Sequence, residues 1–124
     1  MPEIKVAILD MYDGEANQGM RCIIDILGRF NQIVSFDRFD IRGKCEIPKI
    51  EDYDIYISSG GPGNPLDGDG KWDTKYFELI DQLWQWNNEN EIKKHVLFIC
   101  HSFQMACKHF GLGEINKRKA TSFG

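Results

Sequence analysis

The first apolar run of the chain, Ile4-Lys5-Val6-Ala7-Ile8-Leu9-Asp10, is β-branched, nearly continuous and closed by an acid. That pattern suits a strand buried in a parallel sheet. From Gly19 the period changes: Met20, Ile23, Ile24, Leu27 and Phe30 recur at spacings of three and four. One helical stripe facing the sheet is predicted there, with Asn17 or Glu15 near its start. Gln32 to Phe39 alternates and predicts a second strand, more exposed than the first. A polar connector with Gly43 and Pro48 leads to Asp54-Ile55-Tyr56-Ile57-Ser58, a short strand that stops at a glycine-rich turn. Asp73 to Asn90 carries Phe77, Ile80, Leu83, Trp84 and Trp86 on a helical pattern, with Asp73 a candidate N-cap. His95 to Ile99 predicts the next buried strand, and Ser102 to Phe110 a helix that Gly111 ends.

The order strand, helix, strand, strand, helix, strand, helix predicts an α/β protein with a doubly wound parallel sheet of the flavodoxin-like kind. The strand at Ile4 to Leu9 should be central, flanked by those near Val34, Ile55 and Leu97, with helices on both faces. No internal repeat or low-complexity segment interrupts it. With 124 residues, 42% of them hydrophobic, the chain has the length and apolar content of one domain, residues 1–124, and excludes a two-domain enzyme. A formal charge of −4 leaves no electrostatic footprint for nucleic acid, and Lys117-Arg118-Lys119 is too short a basic run to change that. The start Met1-Pro2-Glu3-Ile4-Lys5 lacks the features of a secretory signal, and no apolar run approaches membrane-span length. Cys22, Cys45, Cys100 and Cys107 show no zinc-type or thioredoxin-type spacing, which points to free thiols in a cytoplasmic protein with no metal or cofactor.

Ligands of such sheets bind beyond the carboxyl ends of the strands, so the residues after Asp10, Ser58 and Ile99 carry the chemical interest. After Ser58 comes Ser59-Gly60-Gly61-Pro62-Gly63-Asn64-Pro65. Paired glycines before a φ-locked proline make a tight backbone whose N–H groups can point at an oxyanion, although such a run is most often a plain turn. After Ile99 comes Cys100, at a predicted strand-to-helix turn that projects the side chain out of the sheet at a helix N-terminus, the logic of a nucleophile elbow. The commoner fate of a lone cysteine after an apolar run is structural burial. Cys22 and Cys107 fit that description within predicted helices, and Cys45 sits in a loop with no activating neighbour.

The segment Ile8-Leu9-Asp10-Met11-Tyr12-Asp13, the loop Ser59-Gly60-Gly61-Pro62-Gly63 and the elbow Phe98-Ile99-Cys100-His101-Ser102-Phe103-Gln104 resemble, in order and separation, the class I glutamine amidotransferases, most closely the glutaminase domain of GMP synthases. The resemblance covers essentially the whole chain. It implies Cys100 as the nucleophile that attacks the carboxamide of glutamine. It also implies an oxyanion hole from the N–H groups of Gly61 and His101, and substrate contacts from Gly60 and Gln104. The released ammonia would pass to a synthetase domain or subunit.

The family's elbow has glycine two places before and two after its cysteine, where this chain has Phe98 and Ser102. The family's general base is a histidine two residues before a glutamate, far downstream of the cysteine, and no histidine follows His109. The 124 residues are therefore read as the N-terminal part of a longer domain. His95 and His109 read as surface or packed side chains. The loop Asp67-Gly68-Asp69-Gly70-Lys71-Trp72-Asp73 is not a calcium loop, because Lys71 and Trp72 stand where a ligand and a glycine are required; Trp72 is instead available to cover the mouth of the site. Two functions stay open: glutamine hydrolysis that feeds a synthetase, and an amidotransferase-like domain that binds a ligand or partner without turnover.

Overall fold

A computed structural model of the chain describes residues 3–15, 17–62 and 70–113. Four strands, β1 (Ile4–Asp10), β2 (Val34–Asp40), β3 (Ile55–Ser58) and β4 (His95–Phe98), form one sheet in the order β2-β1-β3-β4. Every pairing is parallel: Ile4 lies opposite Val34, Val6 opposite Ile55, and Ile55 opposite His95. The strands alternate with helices α1 (Gln18–Gly28), α2 (Ile41–Lys44), α3 (Trp72–Glu89) and α4 (His101–His109), and a short 3₁₀ turn at Ile50–Asp52 precedes β3.

The continuous apolar character of β1 has a direct structural cause. Side chains alternate across a strand, and those of β1 enter two different cores. Val6 and Ile8 pack with Met20, Ile23 and Leu27 of α1 on one face. Ala7 and Leu9 pack on the other with Ile41 of α2, with Tyr76, Leu79, Ile80 and Leu83 of α3, and with Met105 of α4. A strand between two helical layers can carry almost no polar side chain. β2, at the edge, is only partly buried, as its alternation predicts.

Several boundaries differ from the sequence reading. Helix α1 is capped by Asn17, whose Oδ1 accepts from the Gly19 N–H at 2.6 Å. It stops at Gly28, so Phe30 leaves the apolar stripe and is exposed. Its N–H instead bonds the Leu27 carbonyl in the turn that leads into β2. Helix α3 begins at Trp72 with Lys71 at the cap position, so Asp73 is a first-turn residue and not the N-cap. Its negative charge suits the positive end of the helix, while the earlier start puts the Trp72 ring into the core. α2 was not predicted, because four residues are too few to show a period; Asp40 caps it, accepting from the Gly43 N–H at 2.8 Å. Trp84, on the predicted apolar pattern of α3, is exposed and tilts against Phe110 at 5.3 Å.

The docking of α1 is testable with two isoleucines three residues apart. Ile23 is 9% exposed and Ile26 54%. Ile23→Ala should lower the unfolding free energy by about 2–5 kcal/mol, and Ile26→Ala should change it by less than about 0.5 kcal/mol, in urea titrations followed by circular dichroism.

Candidate functional site

The carboxyl ends of β1, β3 and β4 converge, and polar contacts lock their loops together. At the end of β1, buried Asp10 accepts from the Tyr12 N–H through Oδ1 at 2.9 Å, and Arg38 meets Oδ2 through Nε at 2.8 Å and Nη2 at 2.6 Å. At the end of β3, the Ser59 hydroxyl accepts from the Met11 N–H and donates to the Gly60 carbonyl, both at 2.8 Å. The next residue must be glycine. A Cβ on Gly61 would lie 2.3 Å from the Met11 carbonyl oxygen, an atom of the backbone that cannot swing aside. Arg42 closes the arrangement from α2, its Nη1 donating to the carbonyls of Met11 at 3.2 Å and Pro62 at 2.8 Å. The Arg42 guanidinium lies 5.0 Å over the Trp72 ring, which is buried beneath it and so packs in the core without covering the site mouth.

Cys100 stands at the β4-to-α4 turn with φ 51° and ψ −108°. Positive φ with that ψ is sparsely populated by L-residues outside glycine and costs on the order of 1–3 kcal/mol. Strained strand-to-helix turns of this kind lift a nucleophile clear of a sheet. The thiol is exposed, and the Cys100 Cβ lies 3.6 Å from the point where Gly60 would carry a Cβ, so Cys100 faces the glycine loop at close range. Neighbouring bonds fix the turn: Ile99 N–H to the Ser58 carbonyl at 3.0 Å, Ser102 N–H to that of Ile99 at 3.1 Å, and Gln104 N–H to that of Cys100 at 3.0 Å.

Beneath the turn runs a buried chain of hydroxyls whose direction is determined. Ser102 donates to the Ser59 carbonyl. Its hydrogen is thereby used, so the Ser58 hydroxyl, 2.7 Å away, donates to Ser102, and the Tyr76 hydroxyl, 2.6 Å from Ser58, donates to Ser58. Burial pushes the Tyr76 phenol up to about 12, while its bonds to the two serines pull the other way. Ser102 is thus accommodated at the place where the resembling family has glycine, because β3 and α3 present partners for its hydroxyl. Phe98, at the other such place, lines an open apolar groove of about 350 Å³ together with Ile80 and Leu83 of α3 and Ala106 of α4.

Of the residues singled out in the sequence, Cys100, Gly60 and Gly61 lie together. His101 is buried behind Cys100 as the first residue of α4. Gln104 is exposed one turn further along the same helix. His95 opens β4, at the opposite end of the sheet from the elbow. His109 ends α4, about 13 Å along the helix from Cys100 at 1.5 Å per residue. There it meets Asp81 at 2.7 Å and stacks on Phe77 at 4.4 Å. Among the described residues, then, only His101 accompanies the thiol. Gly63, Asn64, Pro65, Asp67, Gly68, Asp69 and Lys117 to Lys119 lie outside the described residues. Among those described, no cluster of three or more His, Cys, Asp or Glu could hold a metal, and no helix is long and apolar enough to cross a membrane.

Nothing in the sequence pattern marks Tyr12, Arg42, Ser58 or Tyr76 for a role. Tyr12 stands two residues past the acid that ends β1, and its hydroxyl lies 3.3 Å from the Cβ position of Gly60, beside Cys100. Burial raises the Tyr12 phenol, and the neighbouring Cys100, Asp10 and Cys22 add to that shift. Comparison with family models, with curated proteins and with solved structures finds no match to this chain.

Two measurements test this geometry. Gly61→Ala should cost about 1–3 kcal/mol of stability through its clash with the β1 loop. Gly28→Ala, with open space around its Cβ, should leave stability unchanged or raise it by up to about 1 kcal/mol. The second measurement concerns Tyr76, whose folded value of about 12 exceeds its ordinary value of 10.0. Between these the unfolded chain loses the proton first, so this group's stabilisation is complete below pH 10 and falls away toward pH 12. At about 1.4 kcal/mol per unit, stability should fall with pH by up to about 3 kcal/mol more in the wild type than in Tyr76→Phe, read from denaturation midpoints.

Proposed function

We propose that this chain is a glutaminase domain of the class I amidotransferase kind, with Cys100 as nucleophile. The observation that carries the reading is the strained turn at Cys100, which presents an exposed thiol to the Gly60-Gly61 loop at the head of a helix. The strand order β2-β1-β3-β4 supports it as well, being that of the first four strands of a flavodoxin-like sheet.

In this reading the Cys100 thiolate attacks the side-chain carboxamide carbon of glutamine. The new S–C bond forms as the carbonyl electron pair moves onto oxygen, and the N–H groups of Gly61 and His101 receive the oxyanion. The C–N bond then breaks as the nitrogen takes a proton and leaves as ammonia. Water adds to the thioester, the S–C bond breaks, and glutamate and the thiolate are released. Gly60 and Gln104 hold the substrate, and the ammonia passes to a synthetase domain or subunit. Proton transfer in these steps is the work of a positioned base, typically worth roughly 10²–10⁴-fold in rate. The histidines His95 and His109 lie far from the thiol. That placement favours, as the second reading, a domain of the same architecture that binds its ligand without turnover.

The 124-residue chain should therefore alkylate faster at Cys100 than at Cys22, Cys45 or Cys107 when treated with iodoacetamide and mapped by mass spectrometry. Its ammonia release from glutamine should be weak, roughly 10²–10⁴-fold below that of a site with a positioned base, and should vanish in Cys100→Ala. Ammonia release that survives Cys100→Ala, or equal labelling of all four thiols, overturns the nucleophile assignment. Selective labelling with measurable glutamine binding and no ammonia supports the second reading.

A further inference from the structure

The glycine at position 19 is only partly explained by the helix cap, where a Cβ would lie 2.9 Å from the Oδ1 of the capping Asn17. It lies in the first turn of α1 and has no positive φ, and alanine is the better helix former. The space on the other side supplies the rest of the reason. A Cβ on Gly19 would lie 2.4 Å from the Tyr12 hydroxyl. Across the cleft, the same hydroxyl is 3.3 Å from the Cβ position of Gly60, and the Cys100 Cβ is 3.6 Å from that position. Two positions without side chains thus flank one phenol oxygen, and the exposed thiol stands beside the second.

From this geometry we propose that the Tyr12 hydroxyl is a further hydrogen-bond donor to the oxygen that becomes negative when Cys100 is acylated, acting beside the backbone N–H groups of Gly61 and His101. The proposal rests on the reading of Cys100 as an acyl-accepting nucleophile. Tyr12 meets the requirements of such a donor. Its backbone is held by Asp10 Oδ1 at 2.9 Å, and the residue before it is gripped by Ser59 and Arg42, so the ring is delivered from a rigid loop. The ring itself packs with Met20 and Ile23 of α1. Burial and the neighbouring Cys100, Asp10 and Cys22 keep the phenol protonated beyond its ordinary range, so that it stays a donor. A preorganised donor aimed at developing charge acts with no reorganisation at the moment of reaction.

The test uses two electrophiles on the same sulfur. With p-nitrophenyl acetate, the thiolate adds to the acyl carbon through an oxyanion, p-nitrophenolate leaves with its electron pair, and one equivalent of colour reports the thioester. With iodoacetamide, sulfur displaces iodide at a saturated carbon and no oxyanion forms. Tyr12→Phe should slow the nitrophenolate burst by at least tenfold, toward the roughly 10²–10³-fold that loss of one oxyanion donor costs, and should change the iodoacetamide rate by less than twofold. Gly19→Ala, which displaces the hydroxyl without removing it, should show the same selective loss, and combining the two substitutions should add nothing. A burst that requires Cys100 but is indifferent to Tyr12→Phe overturns the Tyr12 role alone. Equal slowing of both reagents overturns it too, since the effect would then lie in the thiol or the fold. A wild-type chain that alkylates at Cys100 yet gives no burst, or a burst that persists in Cys100→Ala, overturns the nucleophile reading and the Tyr12 role with it.

Discussion

A cysteine at φ 51° and ψ −108° is the constraint on which the rest of the site depends. Such a backbone does not persist by itself; its surroundings must over-determine it. Here the hydroxyl chain from Tyr76 through Ser58 and Ser102 to the Ser59 carbonyl joins α3, the end of β3, the first turn of α4 and the glycine loop. Each buried hydroxyl would cost about 1–3 kcal/mol if it lost its partner. Release of the strain at Cys100 by rotating α4 would therefore break a bond that three other elements rely on.

The same chain sets the relation between thiol and glycine loop. Ser59 receives the end of the hydroxyl chain at its carbonyl, while its own hydroxyl bonds Met11 and Gly60. The β1 loop, the β3 loop and the elbow are thus parts of one connected polar structure under an apolar sheet. Arg42 extends it to the Pro62 carbonyl and rests on Trp72. A site held in this way keeps its donors in place before a ligand arrives, which is what electrostatic stabilisation of a transient charge requires.

The glycines divide by cause. Gly61 is needed because two backbones touch there, and at Gly19 the Tyr12 phenol oxygen and the capping Asn17 Oδ1 occupy the space of a side chain. A glycine loop after a strand, such as Gly60-Gly61, is visible in sequence. The contact of Gly19 with Tyr12 carries no such signature, since the tyrosine is seven residues earlier in the chain and meets it only after β1 and α1 have packed. Ser102 shows the same limit from the other side. As a residue type it departs from the glycine of the resembling elbow; in the fold it is the acceptor for a serine 44 positions away.

The chain's own sequence determined the alternation of strands and helices, the double-sided burial of β1, and the positions of the glycine run and Cys100 just beyond strand ends. Each of these is written in local period and in neighbouring residue types. Only the tertiary structure decided which of them face one another. The registers that set Leu9 opposite Ser58 and Ser58 opposite Phe98 bring three loops to one end of the sheet, fix the direction of the hydroxyl chain, bury Trp72 under Arg42 and carry His109 to the far end of α4. Those outcomes depend on packing distances between residues remote in sequence, and periodicity along the chain carries no information about them.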